Sequence, residues 1–241
     1  MYKKEFEIVK KIIKEVGFFL KEQEIKKVKS LKNKDIKLLL DEEAELKILD
    51  QLLSKFKYPI LSEELGLTSN IKDNIPYWIV DPIDGTMNYS RGIPTSCISI
   101  ALYKGDEPIL GVIYDFNADE LFSALIGEGA WLNDIELVSS SVVTRKSEAI
   151  LATGFPVYMN LDKKNLVLFI SQIQEYKKIR MIGSAALSLA YLSVGRFDAY
   201  IEKSIKFWDV AAGIAILKAL NIKTKWVMLK DYSIDIEAGI Y

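Results

Sequence analysis

Histidine is absent from the 241 residues. That excludes a Ser-His-Asp triad, a Cys-His pair, an imidazole acid or base and any His-ligated metal. One cysteine, Cys97, is present, too few for an intrachain disulfide or a thiolate zinc cluster. Neither sign of charge dominates, since 32 basic and 33 acidic residues leave a net −1, and that balance argues against a dedicated nucleic-acid binder. Long apolar runs are missing as well. The best candidate, 181–195, is shorter than a membrane span and is interrupted by Ser184, Ser188 and Ser193. The N-terminus sets Lys3, Lys4, Glu5 and Glu7 among its apolar positions, unlike a secretory leader. The expectation is a soluble, cytoplasmic protein with neither a membrane nor a nucleic-acid partner. Any catalysis must use carboxylates, hydroxyls, lysines or a hard metal ion.

What is present is ordinary folding material, with 50% hydrophobic and 27% charged residues. The length fits one or two domains, and a chain of this size buries about 70–75% of its unfolded surface. Phe6, Val9, Ile13, Val16 and Leu20 recur at helical spacing, which predicts an amphipathic helix over 5–20. Residues 21–37 hold seven lysines and read as a solvated helix end and loop. Leu46, Leu49, Leu53 and Phe56 continue a second helix, with Asp41 near its start. From Tyr77 the texture changes to strands. Tyr77–Val80 reads as a buried strand ended by Asp81-Pro82, and 97–102, 109–114 and 120–124 as an antiparallel meander with Cys97 packed on a small-residue face. Strands at 150–152, 179–182 and 198–201 then alternate with helices at 166–173, 185–194 and 208–220. The predicted halves are 1–145, α+β, and 146–241, α/β.

Acids stand in unusual places along this pattern. Asp81 closes an apolar strand, Pro82 fixes the backbone, and Gly85 permits a tight turn before Thr86 opens a helix. Asp81 and Asp84 then face one point beside free backbone N–H groups, an arrangement suited to a hard cation next to a phosphate. With no His or Cys to soften the ligand set, Mg²⁺ or Mn²⁺ is favoured over zinc. Taken singly, each acid has a plainer explanation: Asp81 and Asp84 as turn caps, Asp209 as a helix N-cap, Glu63-Glu64 as a solvated pair.

Taken together and in order, Glu63-Glu64, Trp78 through Asn88 and Trp208 through Gly213 resemble the inositol monophosphatase family. This branch of the magnesium-dependent, lithium-sensitive phosphatases stands beside fructose-1,6-bisphosphatases and phosphoadenosine phosphate phosphatases. The family pattern is an acid pair, then W-hydrophobic-hydrophobic-D-P-hydrophobic-D-G-T-x-N, then W-D-x-A-A-G, and both longer motifs are intact here.

The resemblance implies a layered α/β/α/β/α sandwich with the site between the halves, and a homodimer. It implies two or three Mg²⁺ ions, with Mn²⁺ as a substitute, held by Glu63, Asp81, the Ile83 carbonyl, Asp84 and Asp209. Asp41 and Thr86 match the pair that orients an attacking water, Glu63 joins them as a catalytic candidate through a third, more loosely bound metal, and Gly85 and Thr86 match the phosphate cradle. Ser184 and Ala185 match the G-[ST]-A-A turn that touches the substrate ring, and Glu202 a glutamate that binds an inositol hydroxyl. Arg180, Lys203 and Lys206 are candidates for a second phosphate. The implied activity is hydrolysis of a small polyol or sugar phosphate in carbohydrate metabolism, inositol 1-phosphate or fructose 1,6-bisphosphate. A 3′-phosphoadenosine 5′-phosphate-type nucleotide substrate ranks behind them, for want of an evident aromatic platform. The alternatives outside catalysis are a phosphometabolite sensor on the same fold and a membrane- or RNA-associated binder using the 21–37 lysines.

Overall fold

The computed structural model describes every residue except 24–27, 33–34, 72–73, 139–142, 156–161 and 241. The chain opens with helix α1 (Lys3–Lys21), strands β1 (Val28–Lys32) and β2 (Asp35–Leu38), and helix α2 (Leu39–Lys55). Strands β3 (Ile60–Ser62), β4 (Gly66–Leu67) and β5 (Tyr77–Asp84) lead to the short helix α3 (Thr86–Ser90). The meander follows: β6 (Cys97–Lys104), β7 (Glu107–Asp115), β8 (Glu120–Leu125), β9 (Gly129–Leu132) and β10 (Ile135–Glu136). The remainder runs β11 (Ile150–Thr153), α4 (Lys163–Ile173), β12 (Lys178–Arg180), α5 (Ala185–Ser193), β13 (Ala199–Lys206), α6 (Phe207–Ala219), β14 (Thr224–Met228) and β15 (Ser233–Gly239).

Two large sheets result. One has eight strands in the order β10-β9-β8-β7-β6-β5-β3-β4, the other five in the order β12-β11-β13-β15-β14. Alternation along β6 decides what packs on each face. Ile98, Ile100 and Leu102 turn toward α1 and α2, burying Val9, Ile13, Ile48 and Leu52 with them. Cys97, Ala101 and Tyr103 turn the other way, into a core shared with α5 and α6. Those two helices carry small residues where they approach their neighbours. A methyl on Gly111 of β7 would stand 2.8 Å from the Ala215 side chain, and one on Gly213 would overlap Leu189 of α5. The far face of the five-stranded sheet is covered by Ile173, the last residue of α4, and by Tyr176 just after it. The layers are therefore helix, sheet, helix, sheet, helix, as expected.

Three expectations are corrected. Part of the lysine-rich stretch read as helix end and loop forms an antiparallel pair, with Val28 opposite Leu38 and Lys32 opposite Asp35; ladder bonds are made by the backbone and need no apolar side chains. The rest of that stretch lies partly outside the described residues. The second half is not purely parallel, because β13 pairs antiparallel with β15, and β14 with β15. Both closing strands were missed, although β15 buries Ile234, Ile236 and Ala238 in strict alternation. No helix among the described residues is long and apolar enough to cross a membrane.

Candidate active site

All eight residues of β5 are buried, so the strand delivers its acids into the protein rather than to the surface. Pro82 supplies no ladder N–H, and the pairing with β6 shifts register between Asp81 and Asp84. Around that irregularity the Ile83 N–H donates to Asp81 Oδ1 at 3.0 Å. Gly85 then takes φ +88°, and a Cβ there would meet the Thr95 carbonyl oxygen at 2.8 Å, so only glycine fits. Helix α3 is five residues long. It offers the backbone of Gly85 and Thr86 at the pocket but little macrodipole, which corrects the weight placed on a helix terminus. The Thr86 hydroxyl donates to the Ile83 carbonyl at 2.9 Å and lies 3.5 Å from Asp41 Oδ1.

A cavity of about 300 Å³ opens where β5, α3, β11, α5, β13 and α6 meet. Glu63, Asp81, Asp84, Glu202 and Asp209 line it, and no lysine or arginine does among the described residues. Ile83, Gly85, Thr86, Ser184 and Ala185 line it too. Asp41, 2% exposed, stands behind Thr86. Asp209 is not the N-cap of α6; that position is Lys206, and the Asp209 carboxylate reaches back to the Lys206 backbone N–H.

Crowding five acids in one desolvated pocket raises their pKa values. Burial is the first cause throughout, with neighbouring carboxylates second in most. Glu63 is pushed up to about 8 by burial and then by Asp41, while Asp81 and Asp209 are raised well above the carboxylate range. Asp84 rises to about 6, held lower by donors from Ser184 and the Ala186 and Ala185 backbone. Glu202 is raised to about 7 by burial, against hydrogen bonds from Tyr200 and the Gly154 backbone. The Glu63 charge is the second cause of the rise at Asp81, after burial.

Such a cluster fits hard cations. No three acidic or cysteine side chains among the described residues close a ready-made metal cage. A cation here would therefore share the carboxylates with the Ile83 carbonyl, water and ligand oxygens, which is how Mg²⁺ is usually held.

Other expected contacts fall elsewhere. The Ser184 hydroxyl donates to Asp84 Oδ2 at 2.5 Å and accepts from the Leu187 N–H at 3.2 Å, so its proton serves Asp84. Arg180 is exposed, bonded to the Ile179 carbonyl at 3.0 Å and outside the pocket lining. Lys206 donates to the Asp231 carbonyl at 2.8 Å and sits over the Trp208 ring, and Lys203 pairs with Asp235 at 3.4 Å. Neither lysine lines the pocket.

Three features escaped the sequence reading. Glu45, wholly buried, accepts from the Ser62 hydroxyl at 2.7 Å and from the Glu64 and Leu65 N–H groups at 2.9 and 2.8 Å. It thereby holds the Glu63-Glu64 turn. Its signal was an acid on the buried face of α2, four residues after Asp41. Asn88 donates to the Thr95 and Ile182 carbonyls, both at 2.8 Å, and ties the α3 loop to the turn before α5. Phe155, with Met87 and Ile205, adds an apolar wall to the pocket, an aromatic surface that had not been expected.

The model of the inositol monophosphatase family matches residues 2–229. A curated relative from Xylella fastidiosa, named Nus factor SuhB, is 42% identical over 183 residues, or 74% of this chain and 64% of that protein, so the match spans just under two-thirds of the relative. The inositol-1-monophosphatase of Rhizobium meliloti is 38% identical over 185 residues, covering 74% of this chain and 67% of that protein. Among solved structures, the extragenic suppressor protein suhB of Bartonella henselae superposes with a TM-score of 0.86 at 30% identity, covering 97% of this chain and 92% of that one.

Proposed function

The chain belongs to the inositol monophosphatase family, and from that premise we propose that it is a metal-dependent phosphatase of a small polyol phosphate, inositol 1-phosphate before others. The observation that carries this is the pocket of five carboxylates with no lysine or arginine among its described lining. Uncompensated buried charge of that density is costly without a cation. Glu63, Asp81, the Ile83 carbonyl, Asp84 and Asp209 would hold Mg²⁺, two or three ions per site, with Mn²⁺ able to replace it. Magnesium there would lower the pKa of water and neutralise charge on the phosphoryl oxygens.

The chain's own residues do the rest. Asp41 and Thr86, 3.5 Å apart, orient the attacking water, with Asp41 taking up its proton. The Gly85 and Thr86 backbone N–H groups hold phosphoryl oxygens, and the surrounding walls align the ester for in-line attack. Ala185 packs beside the substrate, and Glu202 accepts from one of its hydroxyls. Arg180, Lys203 and Lys206 are engaged outside the pocket. A monophosphate is therefore preferred over fructose 1,6-bisphosphate. A nucleoside phosphate is the second reading, favoured by the Phe155 ring on the pocket wall. A cytoplasmic homodimer completes the proposal, and sedimentation of the purified chain tests the dimer.

The deciding experiment is phosphate release with Mg²⁺ from inositol 1-phosphate, fructose 1,6-bisphosphate and adenosine 2′-phosphate at matched concentrations. Asp84→Asn serves as the control for contaminating phosphatase. Turnover that survives EDTA, or that Asp84→Asn leaves unchanged, would sink the reading.

A further inference from the structure

We propose that Tyr200 and Gly154 are positioning residues that make Glu202 a reader of substrate hydroxyls and so set which phosphate esters the pocket prefers. The inference rests on the phosphatase reading above and goes on to ask what gives that site its selectivity.

Tyr200 and Glu202 are two apart on β13 and share a face of the strand. Tyr200 is wholly buried, yet its hydroxyl has a partner: it donates to Glu202 Oε2 at 2.6 Å. Gly154 follows β11, the parallel neighbour of β13, where Thr153 stands opposite Ile201. Its backbone lies against the same carboxylate. A Cβ at Gly154 would occupy the space of the Glu202 carboxyl group, overlapping all three of its atoms. Glycine is required here by close approach, and the absent side chain is the slot in which the carboxylate sits.

Glu202 is the last residue of β13 paired in register with β15, opposite Ile236, before a bulge. The pairing of β13 with β15 is irregular between Glu202 and Ile205, and Ser204 takes φ 55° within that bulge. Lys203, the next residue, is drawn toward Asp235 and Glu237. Glu202 is thus fixed by the Tyr200 hydroxyl and by the slot at Gly154 behind it. A carboxylate has about four acceptor positions. Tyr200 occupies one from the core side, which leaves acceptor capacity on a carboxylate that lines the cavity. An acceptor gripped in this way has one direction in which to receive a hydroxyl, the condition for rejecting an ester that has none.

The test is steady-state kinetics of the purified chain with Mg²⁺ on two esters, inositol 1-phosphate and 4-nitrophenyl phosphate, which carries no hydroxyl. Tyr200→Phe keeps the ring and removes only the donor. It should raise KM for inositol 1-phosphate about tenfold with kcat within about twofold, leaving both constants for the aryl ester unchanged. Gly154→Ala, which displaces the carboxylate, should give the same split. Equal losses on both esters, or none on either, would overturn the inference, as would a wild-type protein that turns over the aryl ester alone. Wild-type protein that hydrolyses neither ester removes the phosphatase reading, and with it this inference.

Discussion

Ser184 donates its hydroxyl proton to Asp84 Oδ2 at 2.5 Å, joining the turn before α5 to the acid at the end of β5. The Ala186 N–H adds a second bond to the same oxygen at 2.7 Å. One carboxylate oxygen therefore anchors the start of a helix from the far half of the chain. On the proposed reading, its other oxygen is the one a cation takes. The turn expected to touch substrate is built around the acid expected to hold metal, so the two functions are mechanically one.

Ser184→Ala should accordingly act on metal before substrate. Loss of a charge-assisted bond lets Asp84 rotate and relaxes a donor that holds its pKa down. The Mg²⁺ concentration for half-maximal rate should rise about tenfold, while KM for inositol 1-phosphate at saturating Mg²⁺ stays nearly constant. Removing the N-cap of α5 should also cost about 1 kcal/mol of stability. A KM defect with unaltered Mg²⁺ dependence would show that the hydroxyl serves substrate instead.

The bare site should oppose folding increasingly as pH rises. Glu63 has its pKa raised to about 8 in the folded chain, above its ordinary value of 4.5. A carboxyl raised on folding binds its proton more tightly in the native state. Its stabilising contribution is whole below about pH 4.5 and is lost as pH climbs through about 8. In EDTA, the melting temperature of the wild type should fall relative to that of Glu63→Gln between pH 5.5 and 8.5. With Mg²⁺ present the ligands must be deprotonated, so the metal-induced rise in Tm should grow over the same interval. Parallel pH profiles for wild type and Glu63→Gln in EDTA would contradict this origin.

Glu45 should matter through the turn it holds. Glu45→Gln turns its NH2 either toward the Glu64 N–H or toward the Leu65 N–H and Ser62 hydroxyl, because these donors are divided between the two carboxylate oxygens. A mispaired buried donor costs about 1–3 kcal/mol, or a fall in Tm of about 2–10 °C for a chain of this length. Because the turn carries Glu63, Mg²⁺ affinity measured by calorimetry should weaken as well. A lower Tm with unchanged Mg²⁺ affinity would confine Glu45 to a structural role.

How legible the site was in the sequence depended on whether its parts are local. Asp81, Asp84, Gly85 and Thr86 lie within six residues, and backbone rules for Pro and Gly alone suggest their convergence. Resemblance to a family brought in Asp41, Glu63, Glu202 and Asp209, which no spacing rule could place beside them. That α2 is a helix was readable from Leu46, Leu49, Leu53 and Phe56, but not which face it buries. Leu46 and Leu53 are exposed, while Ala44, Glu45, Ile48, Leu49 and Leu52 are buried. Glu45 looked like any solvated acid, because its partners arrive from a turn that folds back on it. Arg180, Lys203 and Lys206 misled for the opposite reason. Long cationic side chains find partners wherever a carboxylate or carbonyl is near, and Asp231, Asp235 and Glu237 come from the closing strands and their connection, which periodicity over so short a tail did not reveal. The layered architecture came from the resemblance; alternation along β6 showed only that large and small side chains sort to opposite faces of one strand.

That sorting has a consequence for activity. Gly111 on β7 lies against α6, where an added methyl would overlap the Ala212 backbone and stand 2.8 Å from the Ala215 side chain. Neither obstacle is the end of a flexible side chain, so Gly111→Ala must push α6 away from the sheet. Overpacking of this kind costs about 1–3 kcal/mol, which lowers Tm by about 2–10 °C. Asp209 rides on the first turn of the same helix, while Asp81 and Asp84 stay with the sheet. The displacement therefore widens the gap between carboxylates that, on the proposed reading, share a cation. Mg²⁺ affinity should fall with stability, although Gly111 is outside the pocket lining. Ala101→Gly removes bulk from the same face without pushing on α6. It should lower Tm through a cavity and leave Mg²⁺ affinity nearly intact. If the two variants lose Mg²⁺ affinity in proportion to their loss of Tm, the packing of α6 does not set the spacing of the acids.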